Sequence, residues 1–205
     1  MNDPVKEAVN TSVDFFDRQF AVQLSQGQAR LNPFESLTLP YLKGEVLDFG
    51  CGLGNLSVAA AERACRVLAL DAAPAAIFHL QKLGAERGLP LTAVQADLRH
   101  YRIEGSYDSV VCIGLLMFFD RHTAVAQLAQ LMSSTRPGGI AAINVLIEGT
   151  TYLDMFGADR YYLFQRDELR HAFAGWEILV ESFHDSAAPH ATAKRFATVI
   201  ARRPG

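Results

Sequence analysis

The strongest constraint on the fold is an alternation of short apolar segments with helical segments between residues 45 and 147. Strands that alternate with helices form βαβ units, and near-continuous apolar strands are typical of a parallel sheet covered on both faces. We therefore predict a Rossmann-like, doubly wound α/β core. The predicted strands are Glu45–Phe49, Arg66–Leu70, Leu91–Gln95, Tyr107–Cys112 and Ile140–Ile147, and the predicted helices are Leu56–Ala64, Pro74–Arg87 and His122–Thr135.

The segments on either side of this core differ from it in pattern. Apolar residues recur every three or four positions between Val5 and Leu24, which is typical of an amphipathic helix. After residue 148, a short helix at Asp167–Phe173 precedes two strands, Trp176–Phe183 and Arg195–Ala201, which a polar loop at Asp185–Lys194 joins. We therefore predict a mostly parallel, seven-stranded sheet with an antiparallel C-terminal hairpin. The single domain of residues 1–205 comprises an N-terminal helical cap (1–40), a cofactor-binding core (45–147) and a substrate-side segment with the hairpin (148–205).

Composition narrows the class of function. Half of the 205 residues are hydrophobic and a fifth are charged, an ordinary globular balance. The net charge of −3 gives no support for a nucleic-acid or membrane partner, so we expect a small-molecule substrate and a monomer or homodimer. The first residues lack the apolar core of a signal peptide, which favours a cytoplasmic location. Three cysteines, Cys51, Cys65 and Cys112, fit neither a disulfide framework nor a zinc module, and we predict no metal site.

A glycine-rich loop carries the first functional signal. Gly50, Gly52 and Gly54 follow the first predicted strand, and only glycine lets a backbone turn so tightly and approach a ligand so closely. A dinucleotide-binding fingerprint would require a glycine where Asn55 stands, and the Gly-Lys-Ser/Thr of a P-loop is absent. A nicotinamide-dependent oxidoreductase is therefore disfavoured. It stays open as an alternative, together with a non-catalytic cofactor-binding member of the fold.

Three carboxylates follow the first three predicted strands or lie at their ends. Asp71 ends the second strand, where a carboxylate can accept both hydroxyls of a ribose, and Asp97 follows the third, where it can accept from the exocyclic amine of adenine. Asp48 precedes the glycines, a position that suits a cation better than a phosphate. The pattern therefore indicates a nucleoside ligand without a pyrophosphate.

These residues together resemble class I S-adenosylmethionine-dependent methyltransferases over roughly residues 45–147. The motifs are Asp48-x-Gly50-x-Gly52-x-Gly54, Asp71, Asp97-Leu98, Tyr107-Asp108 and Arg136-Pro137-Gly138-Gly139. The resemblance implies that S-adenosyl-L-methionine is the cofactor, with its methionine part over the glycine loop, its ribose on Asp71 and its adenine on Asp97. The implied cofactor-binding residues are Asp48, Gly50, Cys51, Gly52, Asn55, Leu56, Asp71, Ala72, Ala73, Asp97, Leu98, Cys112 and Ile113.

Shorter motifs outside the core are similar to those of bacterial tellurite-resistance methyltransferases. They are Met117-Phe118-Phe119, Phe164-x-x-x-Glu168-Leu169, Gly175-Trp176-Glu177 and Arg195-Phe196-Ala197-Thr198. This resemblance implies a metalloid oxyanion, such as tellurite or selenite, as the methyl acceptor. The loop Asp185–Lys194 lacks the His-Arg pair of that family, which leaves the acceptor open.

The acceptor side has candidate residues but no assigned catalytic residue. We name Phe16, Phe118, Arg160, Tyr162, His184 and His190 as a candidate substrate pocket, with Arg195 as a further cation for an oxyanion. A sulfonium departs as a neutral thioether, so the donor needs no general acid, and positioning supplies most of the catalysis. Residues 1–33 and 148–166 are alternative candidates for a lid over the site.

Overall fold

A computed structural model describes residues 16–20, 22, 30–156 and 160–205, and every structural statement concerns these residues. Seven strands form one sheet in the order β3-β2-β1-β4-β5-β7-β6. The first five strands are parallel, and β7 is antiparallel to both β5 and β6. This confirms the predicted Rossmann-like sheet with its C-terminal hairpin. The strands are β1 Glu45–Phe49, β2 Arg66–Asp71, β3 Leu91–Gln95, β4 Tyr107–Ile113, β5 Thr135–Leu146, β6 Glu177–Ala188 and β7 Thr192–Arg202.

Five α-helices within the described ranges connect and flank the strands. They are α1 Pro33–Thr38, α2 Asn55–Ala61, α3 Pro74–Arg87, α4 Arg121–Ser134 and α5 Glu168–Ala172. Residues 16–20 are also helical, and the rest of the predicted Val5–Leu24 helix, apart from Val22, lies outside the described residues. Short 3₁₀ turns occupy Leu39–Tyr41, Leu116–Phe118 and Asp154–Phe156.

The N-terminus of α1 shows why the chain turns where it does. The Asn32 side chain accepts hydrogen bonds from the Phe34 and Glu35 amides, and the Glu35 carboxylate accepts from the Asn32 amide. This reciprocal capping box satisfies amides that have no partner inside the helix. It also fixes the position of Glu35 at the start of α1, where this residue lines a cavity.

Two apolar clusters cover the two faces of the sheet. Because side chains alternate along a strand, Leu47 and Phe49 belong to one cluster and Val46 to the other. Helix α4 packs on the first face through residues such as Leu128, while α2 and α3 pack on the second. The sheet is therefore a rigid platform whose strand ends are free to carry a site. Among the described residues, no helix is both long and apolar enough to cross a membrane.

The structure corrects two boundaries. Strand β5 begins at Thr135 and not at Ile140, because Tyr107 of β4 already pairs with Thr135. The predicted polar loop Asp185–Lys194 is mostly strand, since the β6–β7 register continues to the Ala188–Thr192 pair and leaves a turn of residues 189–191. Polar composition misled the prediction because an exposed hairpin is held by backbone pairing, which tolerates polar side chains.

Candidate functional site

A cavity of about 840 Å³ lies at the carboxyl ends of β1, β2 and β4. The chain leaves neighbouring strands β1 and β4 in opposite directions at this point, and open α/β sheets bind ligands at such a switch. The lining residues come from the glycine loop, from the ends of the strands, from α1 and from the helical residues 16–20.

The glycine loop after β1 is held by backbone contacts to β2. The amides of Gly50 and Cys51 both donate to the Leu70 carbonyl, at 2.8 and 3.0 Å. Gly54 has a φ of +72°, and a Cβ there would lie 2.5 Å from Leu80 Cδ2, so only glycine lets α2 begin against α3. The loop therefore presents its backbone to the cavity in one fixed shape.

Asp71, at the end of β2, is oriented by two backbone amides. The Gly52 amide donates to Oδ2 at 2.8 Å and the Ala73 amide donates to Oδ1 at 2.9 Å. Burial raises the pKa of Asp71 above its ordinary value despite these hydrogen bonds. A carboxylate has about four acceptor positions, so both oxygens keep capacity for a ligand's hydroxyl groups. Asp71 is not the N-cap of α3, because that residue is Ala73. Its carboxylate instead accepts from backbone amides that precede the helix.

Asp48 lies beneath the loop and is almost fully buried, with 4% of its surface exposed. Ser57 Oγ donates to its Oδ2 at 2.6 Å. Burial, together with the nearby Glu35 and Asp71 carboxylates, raises the pKa of Asp48 to about 7. A buried carboxylate without a cationic partner creates a site that favours a bound positive charge.

Asp97, after β3, is in a different environment at the cavity rim. Arg99 Nε donates to its Oδ1 at 3.0 Å, and His100 Nδ1 lies 3.0 Å from its Oδ2. Burial acts to raise the pKa of Asp97, but the contacts with Arg99 and His100 outweigh it and the pKa is lowered. Asp97 is therefore ionised at neutral pH.

Aromatic rings form the opposite wall of the cavity. Phe16 meets Phe118 edge to face at a centroid distance of 5.0 Å, and Phe34 of α1 packs against Phe196 of β7 at 4.8 Å. The ring of Phe20 covers the glycine loop, because a Cβ on Gly52 would lie 3.2 Å from Phe20 Cζ. These rings exclude water from one side of the cavity.

Two polar contacts position elements of the aromatic wall. Asp17 Oδ1 accepts from the Ala75 amide at 3.0 Å, which attaches residues 16–20 to the first turn of α3. Asn144 of β5, which lines the cavity together with Phe34 and Phe196, is 1% exposed and donates through Nδ2 to Thr198 Oγ1 at 2.9 Å. Its Oδ1 has no hydrogen-bond partner within the described ranges. The cavity thus contains one buried acceptor that remains unsatisfied.

The structure brings most of the predicted cofactor residues together. All but one of the thirteen line the cavity, and the exception, Cys112, is buried within β4. Burial raises the pKa of the Cys51 thiol, in keeping with a small residue in a tight loop and not with a reactive one. The cofactor assignments of these residues stay predictions, now with a common location.

The predicted acceptor residues divide differently. Phe16 and Phe118 line the cavity, whereas Arg160, Tyr162, His184 and His190 do not. The Tyr162 hydroxyl donates to the Glu168 carboxylate at 2.7 Å, and His190 lies in the hairpin turn with a φ of +57°. His184 packs behind Phe34, at a centroid distance of 6.0 Å.

Several lining residues were not anticipated from the sequence. They are Gln19, Phe20, Arg30, Asn32, Phe34, Glu35, Leu53, Arg99, Gly114, Leu115, Phe119, Asn144 and Phe196. The Asn32-x-x-Glu35 spacing was a local signal for the start of a helix and could have located α1. Phe196 belongs to a quoted motif, but nothing local assigns it or Asn144 to the cavity, because the pairing of β5 with β7 brings the two residues together.

The segment 148–166, one of the two lid candidates, is attached to the core in its described parts. The Tyr162 amide donates to the Met117 carbonyl at 3.0 Å, and the Phe164 amide donates to the Leu146 carbonyl at 3.1 Å. None of its described residues lines the cavity, whereas Phe16, Gln19 and Phe20 do. These contacts favour the N-terminal helical residues as the cover.

Comparison with known proteins gives this geometry a context. Residues 46–139, a little under half of the chain, match the family described as "Methyltransferase domain". "Hemagglutinin 1" of Eikenella corrodens is 28% identical over 167 residues, which is 78% of this chain and 55% of that protein. The chain thus spans about half the length of this curated relative.

Solved structures share the fold across nearly the whole chain. TehB from Haemophilus influenzae aligns with a TM-score of 0.74 at 19% identity, covering 94% of this chain and 67% of that one. The N-methyltransferase NodS from Bradyrhizobium japonicum WM9, in complex with S-adenosyl-L-homocysteine, aligns with a TM-score of 0.71 at 16% identity, covering 95% and 100%. At these identities the likeness establishes the fold alone. Taken with the family match over the glycine loop and its acids, the shared fold makes the chain similar to the class I S-adenosylmethionine-dependent methyltransferases.

Proposed function

We propose that the chain transfers a methyl group from S-adenosyl-L-methionine to a small-molecule acceptor. The observation that carries this proposal is the cavity floor, where Asp48 and Asp71 lie beside the glycine loop without a cationic partner in the described part of the chain. An anionic floor matches a ligand that carries a sulfonium and an ammonium group, and it opposes a pyrophosphate. The presence of S-adenosyl-L-homocysteine in the NodS structure supports the same ligand.

The residues present fit this cofactor. Asp71 would accept the ribose hydroxyls, because Gly52 and Ala73 already fix its two oxygens in place. Asp97 would accept from the adenine amine, and Asp48 would balance the positive charge of the methionine part. When bound, the cofactor supplies an activated methyl group on a sulfur that leaves as a neutral thioether.

The chain itself contributes orientation and exclusion of water. The ring of Phe20 over Gly52 would cover the methionine part, and Phe118 closes the side towards the acceptor. Holding the nucleophile in line with the methyl group can contribute about 7–11 kcal/mol to lowering the barrier. No general acid is required at the leaving group, and no catalytic residue is assigned.

The chemical class of the methyl acceptor is a more specific part of the proposal. The sequence predicts a metalloid oxyanion as the acceptor, and the fold shared with TehB supports this prediction. Such an acceptor calls for cationic donors, and the described lining offers Arg30 and Arg99, the second of which is bound to Asp97. The four cations predicted for this role, Arg160, His184, His190 and Arg195, lie outside the lining.

Calorimetric titration of the purified chain with S-adenosylhomocysteine, and separately with NAD, tests the cofactor. We expect a dissociation constant in the micromolar range for the first and no heat with the second. Transfer of label from methyl-labelled S-adenosylmethionine to a panel of small acceptors then tests turnover. Binding of NAD alone would favour the oxidoreductase alternative, and binding of the cofactor without any turnover would favour a non-catalytic member of the fold.

A further inference from the structure

We infer that Asn144 Oδ1 accepts a hydrogen bond from an N–H of the methyl acceptor, and that the acceptor is a small amine with an apolar body. The inference rests on the proposed function and names the substrate class of the same cavity. Its starting point is the buried, unsatisfied Oδ1 of Asn144, a residue that lines the cavity. A buried polar atom without a partner destabilises a protein, so its presence in a lining residue indicates a donor that a ligand supplies.

The orientation of the Asn144 amide is fixed by its surroundings. Nδ2 donates to Thr198 Oγ1 at 2.9 Å and lies 3.5 Å from the Ala197 carbonyl oxygen, which can only accept. An inverted amide would place Oδ1 against that carbonyl and would lose a hydrogen bond. The oxygen is therefore the atom of this lining residue that is left without a partner, and a ligand that reaches it must donate.

The charge of the lining favours an amine over an anion. Four carboxylates line the cavity, on Glu35, Asp48, Asp71 and Asp97, against two guanidinium groups in the described lining. One of those, on Arg99, is bound to Asp97. This excess of carboxylates over guanidinium groups disfavours an anionic acceptor, whereas it does not repel a neutral amine.

The chemistry at the attacking atom separates an amine from other nucleophiles. A neutral amine nitrogen can donate an N–H to Asn144 while its lone pair attacks the methyl carbon. A phenolate, a thiolate or a fully ionised oxyanion has no hydrogen to donate to Oδ1. A hydroxyl group has one, but it becomes a good nucleophile only after losing it.

The reaction step is balanced with groups that line the cavity. The nitrogen lone pair forms the new N–C bond as the C–S bond breaks, and the electron pair of that bond goes to sulfur. The product nitrogen becomes a cation and sheds one proton, for which Glu35 and Asp48 are carboxylate acceptors. Burial raises the pKa of both groups, which makes them better proton acceptors than ordinary carboxylates.

The aromatic wall suits an acceptor with an apolar body. Phe34 and Phe196 form the part of the wall nearest to Asn144 in register, since Asn144 pairs with Thr198 and Leu146 pairs with Phe196. A flat hydrocarbon group can lie against these rings while its amine reaches Oδ1. Ring faces also attract the cationic product nitrogen.

A paired acceptor panel tests the inference on the wild-type chain. Phenethylamine and N-methylphenethylamine are compared with phenethyl alcohol, phenethyl thiol, phenol, tellurite and selenite, with methyl-labelled cofactor and mass analysis of the product. We expect N-methylation of an amine at a rate at least about tenfold above every matched oxygen, sulfur and metalloid acceptor. Preferred methylation of any of those acceptors, or cofactor binding with no amine turnover, would overturn the inference.

The variant Asn144→Leu removes the acceptor oxygen with little change in volume. We expect the KM for the amine to rise about tenfold, from the loss of one hydrogen bond to the ligand, while the dissociation constant of S-adenosylhomocysteine stays within about twofold. Thr38→Val is the matched control, because Thr38 Oγ1 is the other buried side-chain atom without a partner among the described residues and it does not line the cavity. It should leave both constants unchanged.

The amine KM of the variant and the cofactor binding of the wild type distinguish a wrong role for Asn144 from a wrong proposed function. An unchanged amine KM in a folded Asn144→Leu variant would overturn the role of Asn144. A wild-type chain that binds no S-adenosylhomocysteine would instead overturn the proposed function. If Asn144→Leu does not fold, the wild-type acceptor panel still decides the substrate class.

Discussion

The two ends of the same sheet use carboxylates in opposite ways. At the amino end of β1, Glu45 is paired with Arg66 and Arg136, and the Arg136 contact lowers its pKa most. Three residues later, at the carboxyl end of the same strand, Asp48 has no cationic partner among the described residues, and burial raises its pKa to about 7. Along β1, the acid that is already paired links neighbouring strands, and the acid without a cationic partner is left for a ligand.

The amino end is a closed ionic network. Arg136 Nη1 lies 2.9 Å from Asp108 Oδ2, which also accepts from the Glu45 amide at 2.8 Å. Tyr107-Asp108 and Arg136–Gly139 were among the motifs on which the family resemblance was based. In the structure they lie far from the cavity lining and join the starts of β1, β4 and β5, so family motifs need not mark the active site.

The comparison is tested most strongly by removing one acid from each end. Asp71→Ala should weaken S-adenosylhomocysteine binding by more than about tenfold, because a hydrogen bond to a charged group contributes about 1.5–3 kcal/mol. Asp108→Ala, the matched change at the other end, should leave the affinity within about twofold. Calorimetry on both variants, with circular dichroism to confirm folding, gives the contrast. Equal losses of affinity would mean that the two ends do not differ in function.

The raised pKa of Asp48 predicts a pH dependence of cofactor binding. Its pKa rises from an ordinary 3.8 to about 7, so between these values the cofactor-free folded state holds a proton that the unfolded chain has lost. The stability of the cofactor-free protein should therefore fall as pH rises from about 4 to 7. A cationic ligand favours the ionised form, so affinity should increase about tenfold between pH 6 and pH 8.

Asp48→Asn is the control for this titration. Its affinity should be weaker but nearly constant over the same range, because the group that exchanges the proton is gone. Calorimetry in buffers of different ionisation enthalpy should also detect proton release on binding to the wild type at pH 6.5. A wild-type affinity independent of pH would contradict the assignment of Asp48 to the cation.

The aromatic cover over the carboxyl end should have a smaller effect. Phe20→Ala removes the ring that lies over Gly52, and we expect the cofactor affinity to fall about threefold to tenfold from lost apolar contact. Phe78→Ala is a suitable control, because that ring is 72% exposed on α3 and does not line the cavity. Equal affinities in the two variants would place the cover elsewhere.

The smallest effect is expected at the amino end. Arg136→Met leaves Glu45 and Asp108 without their shared cation, but all three side chains are about a third exposed and solvent screens the charges. We expect Tm to fall by roughly 1–3 °C and the cofactor affinity to stay within about twofold. Because pairing lowers the pKa of both acids, this stabilisation should disappear as pH falls below about 4. A loss of cofactor affinity in this variant would contradict the comparison, because it would show that the amino end of the sheet also contributes to binding.

The sequence predicts the parts of the site that lie beside strand ends, but not the parts that tertiary contacts between distant segments bring together. Gly50, Asp71 and Asp97 each lie within a few residues of a strand end, and the parallel order of the strands brings them together. The part of the cavity lined by Phe34, Asn144 and Phe196 is assembled from α1, β5 and β7. No local pattern in the sequence states that Phe34 meets Phe196 or that Thr198 holds Asn144.

The cationic candidates show the same limit. The sequence predicts a loop at Asp185–Lys194, which in the similar family helps to form the substrate pocket, and His184 and His190 lie next to it and within it. The β6–β7 pairing extends that stretch into a straight hairpin, so His190 is carried to the turn and away from the cavity. A sequence pattern indicates which residues are polar, but the register of an antiparallel pair decides where they are placed.

The position of β7 has a consequence for how the protein matures during synthesis. This strand comes last in chain order yet inserts between β5 and β6, and it carries both Phe196 and Thr198. When a ribosome is still producing the hairpin, it has already synthesised the glycine loop, Asp48, Asp71 and Asp97. The acceptor floor is not yet complete, because Asn144 acquires its orienting partner only when β7 has been inserted. We therefore expect nascent chains to acquire cofactor affinity before they acquire an acceptor site, so that methyl transfer begins only when the sheet is complete.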